Sequence, residues 1–161
     1  MDARAAELIA SLGMRPHPEG GYYREIYRSA CRVQPLDNRP ERAALTTIYF
    51  LLPAGDLSGW HRVASDEVWH HYEGDALELH TADADFDEVA THVLGTIDHG
   101  RRPVHVVQAN AWQAARSMGA YTLVGCTVGP GFDFADFELL RARPIEMEAA
   151  RRRHPDVARF V

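Results

Sequence analysis

The stretch Ser58–Asp75, SGWHRVASDEVWHHYEGD, holds three of the chain's nine histidines, and a fourth, His80, follows just beyond it. Apolar and polar residues alternate through it, which is the period of a strand, where residues two apart share a face. His61 and Val63 then point one way, and Trp60 and Arg62 the other. After a turn near Ala64 to Asp66 the parity restarts, with Glu67, Trp69, His71 and Glu73 on one face and Val68, His70 and Tyr72 opposite. The adjacent pair His70 and His71 therefore cannot reach one metal from a regular strand, which removes the most direct zinc reading. Glu67, across the turn, can face His61.

Strand signals continue on both sides. Ala44–Leu52, ALTTIYFLL, is nearly all apolar or β-branched and is closed by Pro53, as expected of a central strand buried on both faces. Tyr22–Ser29 reads as a strand with both faces engaged. Further strands are expected at Ala76–Thr81, Val89–Leu94, Val104–Gln108, Ala111–Ser117 and Tyr121–Val128, with turns between them that include Asp98-His99-Gly100. Two prolines and two glycines in RPHPEGG, Arg15–Gly21, argue against regular structure there. The segment His17–Gly21 reads either as a lid with glycine hinges or as a turn from helix to sheet. Val33–Arg42 reads as a polar loop. Ala5, Leu8, Ile9 and Leu12 make one helical stripe in Asp2–Leu12, stopped by Gly13, and Pro144 opens a last helix, Ile145–Arg153. Strands recurring every ten or so residues with no helix between them mean an antiparallel sandwich or barrel. The expectation is one all-β domain over 1–161, with its core at about 20–140.

Composition narrows the partners. The 161 residues are 46% apolar and 25% charged, as in ordinary globular proteins. No apolar run approaches the roughly 18 residues of a membrane span. A formal charge of −6 argues against a nucleic-acid partner, which calls for a basic face. Arg151, Arg152 and Arg153 are offset by Glu146, Glu148 and Asp156 and read as a solvated helix face. The start, MDARAAELIASLGMRP, reads as an amphipathic helix rather than an export signal, so a cytoplasmic location is expected. Cys31 and Cys126 belong to no CxxC motif and read as reduced thiols.

The spacing of His61, Val63, Glu67 and Gly74 resembles the first signature of the cupin superfamily: two histidines two apart, a glutamate four further on and a glycine seven after that. Val63 stands where the second histidine would be. The second signature aligns with Gln108–Gln113, where Gln113 replaces the last histidine. HPEGGYYREIYRS, TTIYFLL, the opening block and YTLVGCTVGPGFDFADFEL are together similar to the compact single-domain branch called cupin family five, over about Ala6 to Leu140. The resemblance implies a double-stranded β-helix, or jelly-roll barrel, with short terminal helices.

It also implies a cavity into which His61, Glu67 and Gln113 point from neighbouring strands. Cupin metals usually take three histidines and one carboxylate. With Val63 and Gln113 in two of those places, a divalent metal at His61, Glu67 and Gln113 is not favoured and no cofactor is expected. Two metal-free readings follow. In one, Glu67 accepts from His61 in a buried polar cluster. In the other, by resemblance to the metal-free sugar-nucleotide epimerases of the superfamily, His61 is a base whose tautomer Glu67 holds, and a tyrosine (Tyr49, Tyr72 or Tyr121) is the acid. The substrate class would be a sugar or sugar-nucleotide-like carbonyl compound; the alternatives are a non-catalytic binder of a small polar molecule and a weak metalloenzyme.

Further ligand contacts are expected from Trp69 and His71 on the Glu67 face. Arg24 and Arg28, placed together opposite Glu25 and Tyr27, are candidates for an anion. Trp60 and Trp112 read as ring-stacking residues or as core packing. Phe132, Phe134 and Phe137 read as a hydrophobic clasp, a patch that would support a homodimer.

Overall fold

The computed structural model describes residues 1–98 and 100–161; the expected turn residue His99 lies outside them. The chain runs α1 (Ala3–Ser11), β1 (Arg15–Pro16), β2 (Tyr22–Arg28), β3 (Arg32–Val33), β4 (Arg42–Ala43), β5 (Thr46–Pro53) and β6 (Leu57–Val63). There follow β7 (Asp66–Gly74), β8 (Leu77–Ala82), β9 (Val89–Leu94), β10 (Val104–Val107), β11 (Trp112–Ser117), β12 (Tyr121–Gly129), β13 (Phe137–Leu139) and α2 (Pro144–Arg153). Six strands form one sheet in the order β1-β2-β5-β12-β7-β10, and five form another in the order β13-β6-β11-β8-β9. From β5 onward the chain crosses between these sheets at every step except the β8–β9 hairpin, which is jelly-roll winding. The two sheets do not close into one continuous barrel.

Three apolar layers fix the arrangement. Phe50, Leu52, Trp69, Leu79 and Val124 fill the space between the sheets. On the outer face of the six-stranded sheet, Ala5 and Leu8 of α1 cover Leu51 and Leu123. Asp2 starts that helix by accepting from the Arg4 and Ala5 amides, a cap typically contributing about 1 kcal/mol. On the outer face of the five-stranded sheet, Trp60, Phe86 and Trp112 pack against Leu140, Ala150, Val157 and Phe160. Trp60 and Trp112 are therefore core residues turned away from the inter-sheet space.

Two bulges change the side-chain parity expected from the sequence. In β2, Glu25 pairs with Ile48 and Tyr27 with Thr47, so Ile26 is the extra residue. A bulge flips every later side chain to the other face, so Arg28 joins Glu25 and forks onto its carboxylate, while Arg24 stays opposite beside Tyr49. The expected Arg24–Arg28 pair is thus split across the sheet. In β7, Leu123 pairs with Glu73 and Val124 with His71, leaving Tyr72 as the extra residue. Glu73 then lies on the outer face, where Arg4 and Tyr121 bond to it, instead of on the Glu67 face.

The segment expected to lack regular structure contains the two-residue strand β1, paired with Tyr22 and Tyr23, and the polar loop is bracketed by the β3–β4 pair. Beyond β1, the chain folds inward on two glycines. Gly20 has φ +114°, and a Cβ there would lie 1.9 Å from the Leu57 carbonyl oxygen. Gly59 N–H donates to the Glu19 carbonyl at 2.8 Å, which fastens the segment to β6. Gly20→Ala is expected to cost at least about 3 kcal/mol, combining a forbidden φ with a backbone clash. Gly55→Ala, where a Cβ meets nothing within 4 Å, should cost only about 1–2 kcal/mol. Urea unfolding of both variants checks the ordering, and equal losses would contradict it.

Candidate functional site

A cavity of about 340 Å³ opens between the two sheets. The six-stranded sheet contributes Tyr23, Ile48, Phe50, Glu67 and Cys126 to its walls. The facing sheet contributes His61, Val63 and Phe137, and the β1–β2 turn contributes His17 and Glu19. Phe132 and Phe134, from the segment between β12 and β13, complete the wall; they and Phe137 pack with ring centres 5.0–6.1 Å apart. The phenylalanine clasp is therefore a cavity wall. It is held by Asp136, which accepts from Arg39 and, through both oxygens, from Arg42.

His61 is 2% exposed and has one orientation available. Its Nδ1 lies 2.8 Å from the Gly59 carbonyl. A carbonyl can only accept, so Nδ1 carries the hydrogen and Nε2 keeps its lone pair. That lone pair faces Glu19 Oε2 at 3.3 Å. His17 Nδ1 lies 3.3 Å from the same oxygen, but its lone pair accepts from the Glu19 amide. The other carboxyl oxygen, Oε1, takes the Ser58 hydroxyl at 2.8 Å. The His61 lone pair facing Oε2 is satisfied only if that oxygen bears a proton.

The electrostatics agree. Burial pushes the Glu19 carboxyl up to about 8, against a smaller opposing effect of Ser58. Burial pushes His17 down to about 3, aided by His61 and Arg15, and holds His61 below its usual value, against the attraction of Glu67. Glu19 and His61 have the spacing of an ion pair but rest as neutral acid and neutral imidazole, because charging both in a dry site costs several kcal/mol per ion.

Glu67 faces His61 from the opposite sheet rather than from a neighbouring strand, and its bonded partner is Gln113. The Trp69 indole N–H, which can only donate, reaches Gln113 Oε1 at 2.9 Å. The amide nitrogen is thereby turned to Glu67 Oε2 at 2.6 Å. Burial raises the Glu67 carboxyl, with His61 opposing, and burial together with Glu67 raises the Cys126 thiol. Holding the His61 tautomer, the role expected of Glu67, falls to the Gly59 carbonyl.

Of the expected site residues, His61 and Glu67 line the cavity. Gln113, the cross-strand partner of His61, is buried behind Glu67. Trp69 sits in the core, edge-on to Phe50. His71 Nε2 bonds to the Asp75 carbonyl at 3.1 Å, away from the cavity. Tyr121 donates to Glu73 on the outer face, Tyr49 meets Tyr72 there, and Arg24 lies on the same side. None of the three tyrosines considered as acids reaches the site. Glu19 and His17 were not singled out as site residues from the sequence. The available signal was an acid followed by two glycines, a pattern that lets backbone and carboxyl enter a narrow space.

The donors expected for a metal do not fit one. Gln113 Oε1 is occupied by the Trp69 indole, Glu67 Oε2 by the Gln113 amide, and Val63 supplies no donor.

An inter-sheet cavity in a jelly roll, walled at the first-signature positions, is the cupin architecture. The family model described as Cupin superfamily (DUF985), Cupin_5, matches residues 6–140, and the chain belongs to that family. A Shewanella oneidensis protein of known crystal structure is 32% identical, with a TM-score of 0.86 over 97% of this chain and 96% of its own. A hypothetical protein from Leishmania major is also 32% identical, with a TM-score of 0.80 over 92% of this chain and 97% of its own. Oxalate decarboxylase from Bacillus subtilis shares the fold at 14% identity, with a TM-score of 0.57 over 78% of this chain and 29% of its own. No functionally curated protein matches the chain. Among the described residues, no helix is long and apolar enough to cross a membrane.

The neutral pair makes stability depend on pH in a defined direction. Folded Glu19 keeps its proton up to about 8, against an ordinary 4.5, so the folded chain binds more protons in that window and stability falls as pH rises through it. The depressed histidines act oppositely: below 6.5 the unfolded chain takes up their protons, and stability falls as pH drops. Between about pH 7 and 8 the histidine contribution is small, and the wild type should lose up to about 1.4 kcal/mol per pH unit. Chemical unfolding at both ends of this window should show most of that slope removed in Glu19→Gln. An unchanged slope would contradict the assignment.

Proposed function

We propose that this cupin binds a small carbonyl compound and acts as a metal-independent isomerase, moving a proton between carbon and oxygen. The observation that carries the reading is the orientation of the pair: His61 turns Nδ1 to the Gly59 carbonyl and Nε2 to Glu19 Oε2, 3.3 Å away, and both residues line one cavity. Enolisation needs a base at the α-carbon and an acid at the carbonyl oxygen. His61 Nε2 takes the α-proton; the C–H electron pair becomes the carbon–carbon double bond; the carbonyl π pair takes the Glu19 proton. The imidazolium and carboxylate so formed stabilise each other, and once the enol leaves, the imidazolium proton passes to the carboxylate 3.3 Å away, restoring both neutral groups.

The assignment modifies the superfamily analogy. The acid is Glu19, on the β1–β2 turn, in place of a tyrosine. Epimerisation would also require a proton donor on the far face of the substrate; Glu67 and Cys126, both raised by burial, line the same cavity. The reading of a non-catalytic small-molecule binder is favoured by the apolar share of the walls, which include Ile48, Phe50, Val63 and Phe137.

Incubation of carbonyl compounds in deuterated water, followed by proton NMR, tests the reaction. Exchange at the α-carbon is expected, falling at least about 100-fold in His61→Gln and in Glu19→Gln, within the range for general acid–base groups. Exchange indifferent to both substitutions would remove the pair from the chemistry. Ligand-induced thermal stabilisation without exchange would identify a binder.

A further inference from the structure

Charge is distributed unevenly between the cavity's interior and its rim. The interior carboxyl and imidazole groups pair with one another and with Gln113, and Ile48, Phe50, Val63 and Phe137 supply apolar wall around them. The rim holds two guanidinium groups, Arg15 and Arg28, and two carboxylates, Glu25 and Asp133. Arg28 is committed: it reaches both Glu25 oxygens at 3.0 and 2.7 Å and donates to the Phe132 carbonyl at 3.1 Å. Asp133 accepts from the Ala135 amide and lies within electrostatic reach of the same arginine. Arg15 has no carboxylate partner among the described residues; its guanidinium stands 4.9 Å from the centre of the Tyr23 ring. Stacking on a ring orients a guanidinium without neutralising it.

We propose that Arg15 binds the carboxylate of a 2-oxo acid whose planar, apolar side chain occupies the phenylalanine-lined cavity. The inference rests on the reading of Glu19 and His61 as a proton-transfer pair. Three observations select this class. One uncompensated cation beside two carboxylates suits a monoanion better than a phosphate dianion. The part of the wall made by Ile48, Phe50, Val63 and the three phenylalanines suits an apolar side chain and offers no partner to sugar hydroxyls buried against it. A volume of about 340 Å³ lies at the low end of ligand pockets and suits one ring rather than a sugar nucleotide.

The positions suit the reaction. Arg15 and Glu19 line the same cavity, and Arg15 acts electrostatically on His17, whose Nδ1 lies 3.3 Å from Glu19 Oε2. The ketone oxygen takes the Glu19 proton while His61 Nε2 removes one from C3, giving the 2-enol, and the reverse transfer restores both groups. No oxidant or co-reactant is needed.

Calorimetric titration with phenylpyruvate, phenylacetone, pyruvate and glucose 6-phosphate tests the assignment, with C3 exchange in deuterated water read in parallel. The wild type should bind phenylpyruvate at least about tenfold tighter than phenylacetone, which lacks the carboxylate, the scale expected of a charge-assisted bond. It should also prefer phenylpyruvate to pyruvate, which lacks the ring. In Arg15→Ala, a substitution at an exposed position whose folding is verified by circular dichroism, the phenylpyruvate-to-phenylacetone preference should collapse toward one. Equal binding of those two by the wild type, a preference kept in Arg15→Ala, or tighter binding of glucose 6-phosphate would overturn the proposal. Arg15-dependent binding with no His61-dependent exchange would uphold the ligand class and sink the isomerase reading. Exchange confined to uncharged sugars would do the reverse.

Discussion

A proton held between Glu19 Oε2 and the Nε2 lone pair of His61 is the constraint on which the rest of the site depends. A carboxylate buried at this depth with no cation beside it would cost several kcal/mol, and an imidazolium–carboxylate pair would have to recover the desolvation of two ions. The chain satisfies the group with hydrogen bonds instead: Ser58 to one oxygen, a proton on the other, and Gly59 fixing the tautomer of His61. Each of these depends on the β1–β2 turn reaching into the space between the sheets, and that reach depends on Gly20, whose Cβ position is occupied by the Leu57 carbonyl. The backbone geometry of one turn thus sets the protonation state of a side chain in the cavity.

The second polar chain, Trp69–Gln113–Glu67, is complementary. It is anchored in the apolar core and ends at a carboxyl facing His61 from the other sheet. Gln113 and Val63 stand where metal-binding members of the superfamily would place ligands. Here they make a neutral hydrogen-bond relay and an apolar wall.

Much of the fold was legible in the sequence because strand periodicity and turn residues are local signals. Val89–Leu94 coincides with its observed strand, and the other long strands shift by one or two residues at their ends. The parity of His61, Arg62 and Val63 holds, since β6 pairs regularly with β13 there, beyond a bulge that falls between Ser58 and His61. Parity failed at Glu73 and at Arg28 for one reason: a bulge inserts a residue without any mark in the alternation, and everything beyond it changes face. The site was half legible. His61 and Glu67 follow from spacing, whereas Glu19 and His17 sit in a Pro/Gly segment whose inward path is decided by contacts with Leu57 and Gly59, distant in sequence. The expected aromatic contacts failed similarly: Trp60 and Trp112 are claimed by the C-terminal segment, and the cavity takes its rings from Phe132, Phe134 and Phe137.

The most direct test is the protonation state of the pair itself, read by NMR on protein carrying carboxyl-¹³C glutamate and ring-¹⁵N histidine. Glu19 is assigned by the resonance lost in Glu19→Gln, and His61 likewise in His61→Gln. A Glu19 carboxyl that is protonated at pH 7 and titrates near 8, with His61 protonated at Nδ1 alone, is the expected result. A Glu19 carboxyl that titrates near its ordinary 4.5, beside a His61 protonated on both nitrogens at pH 7, would contradict it.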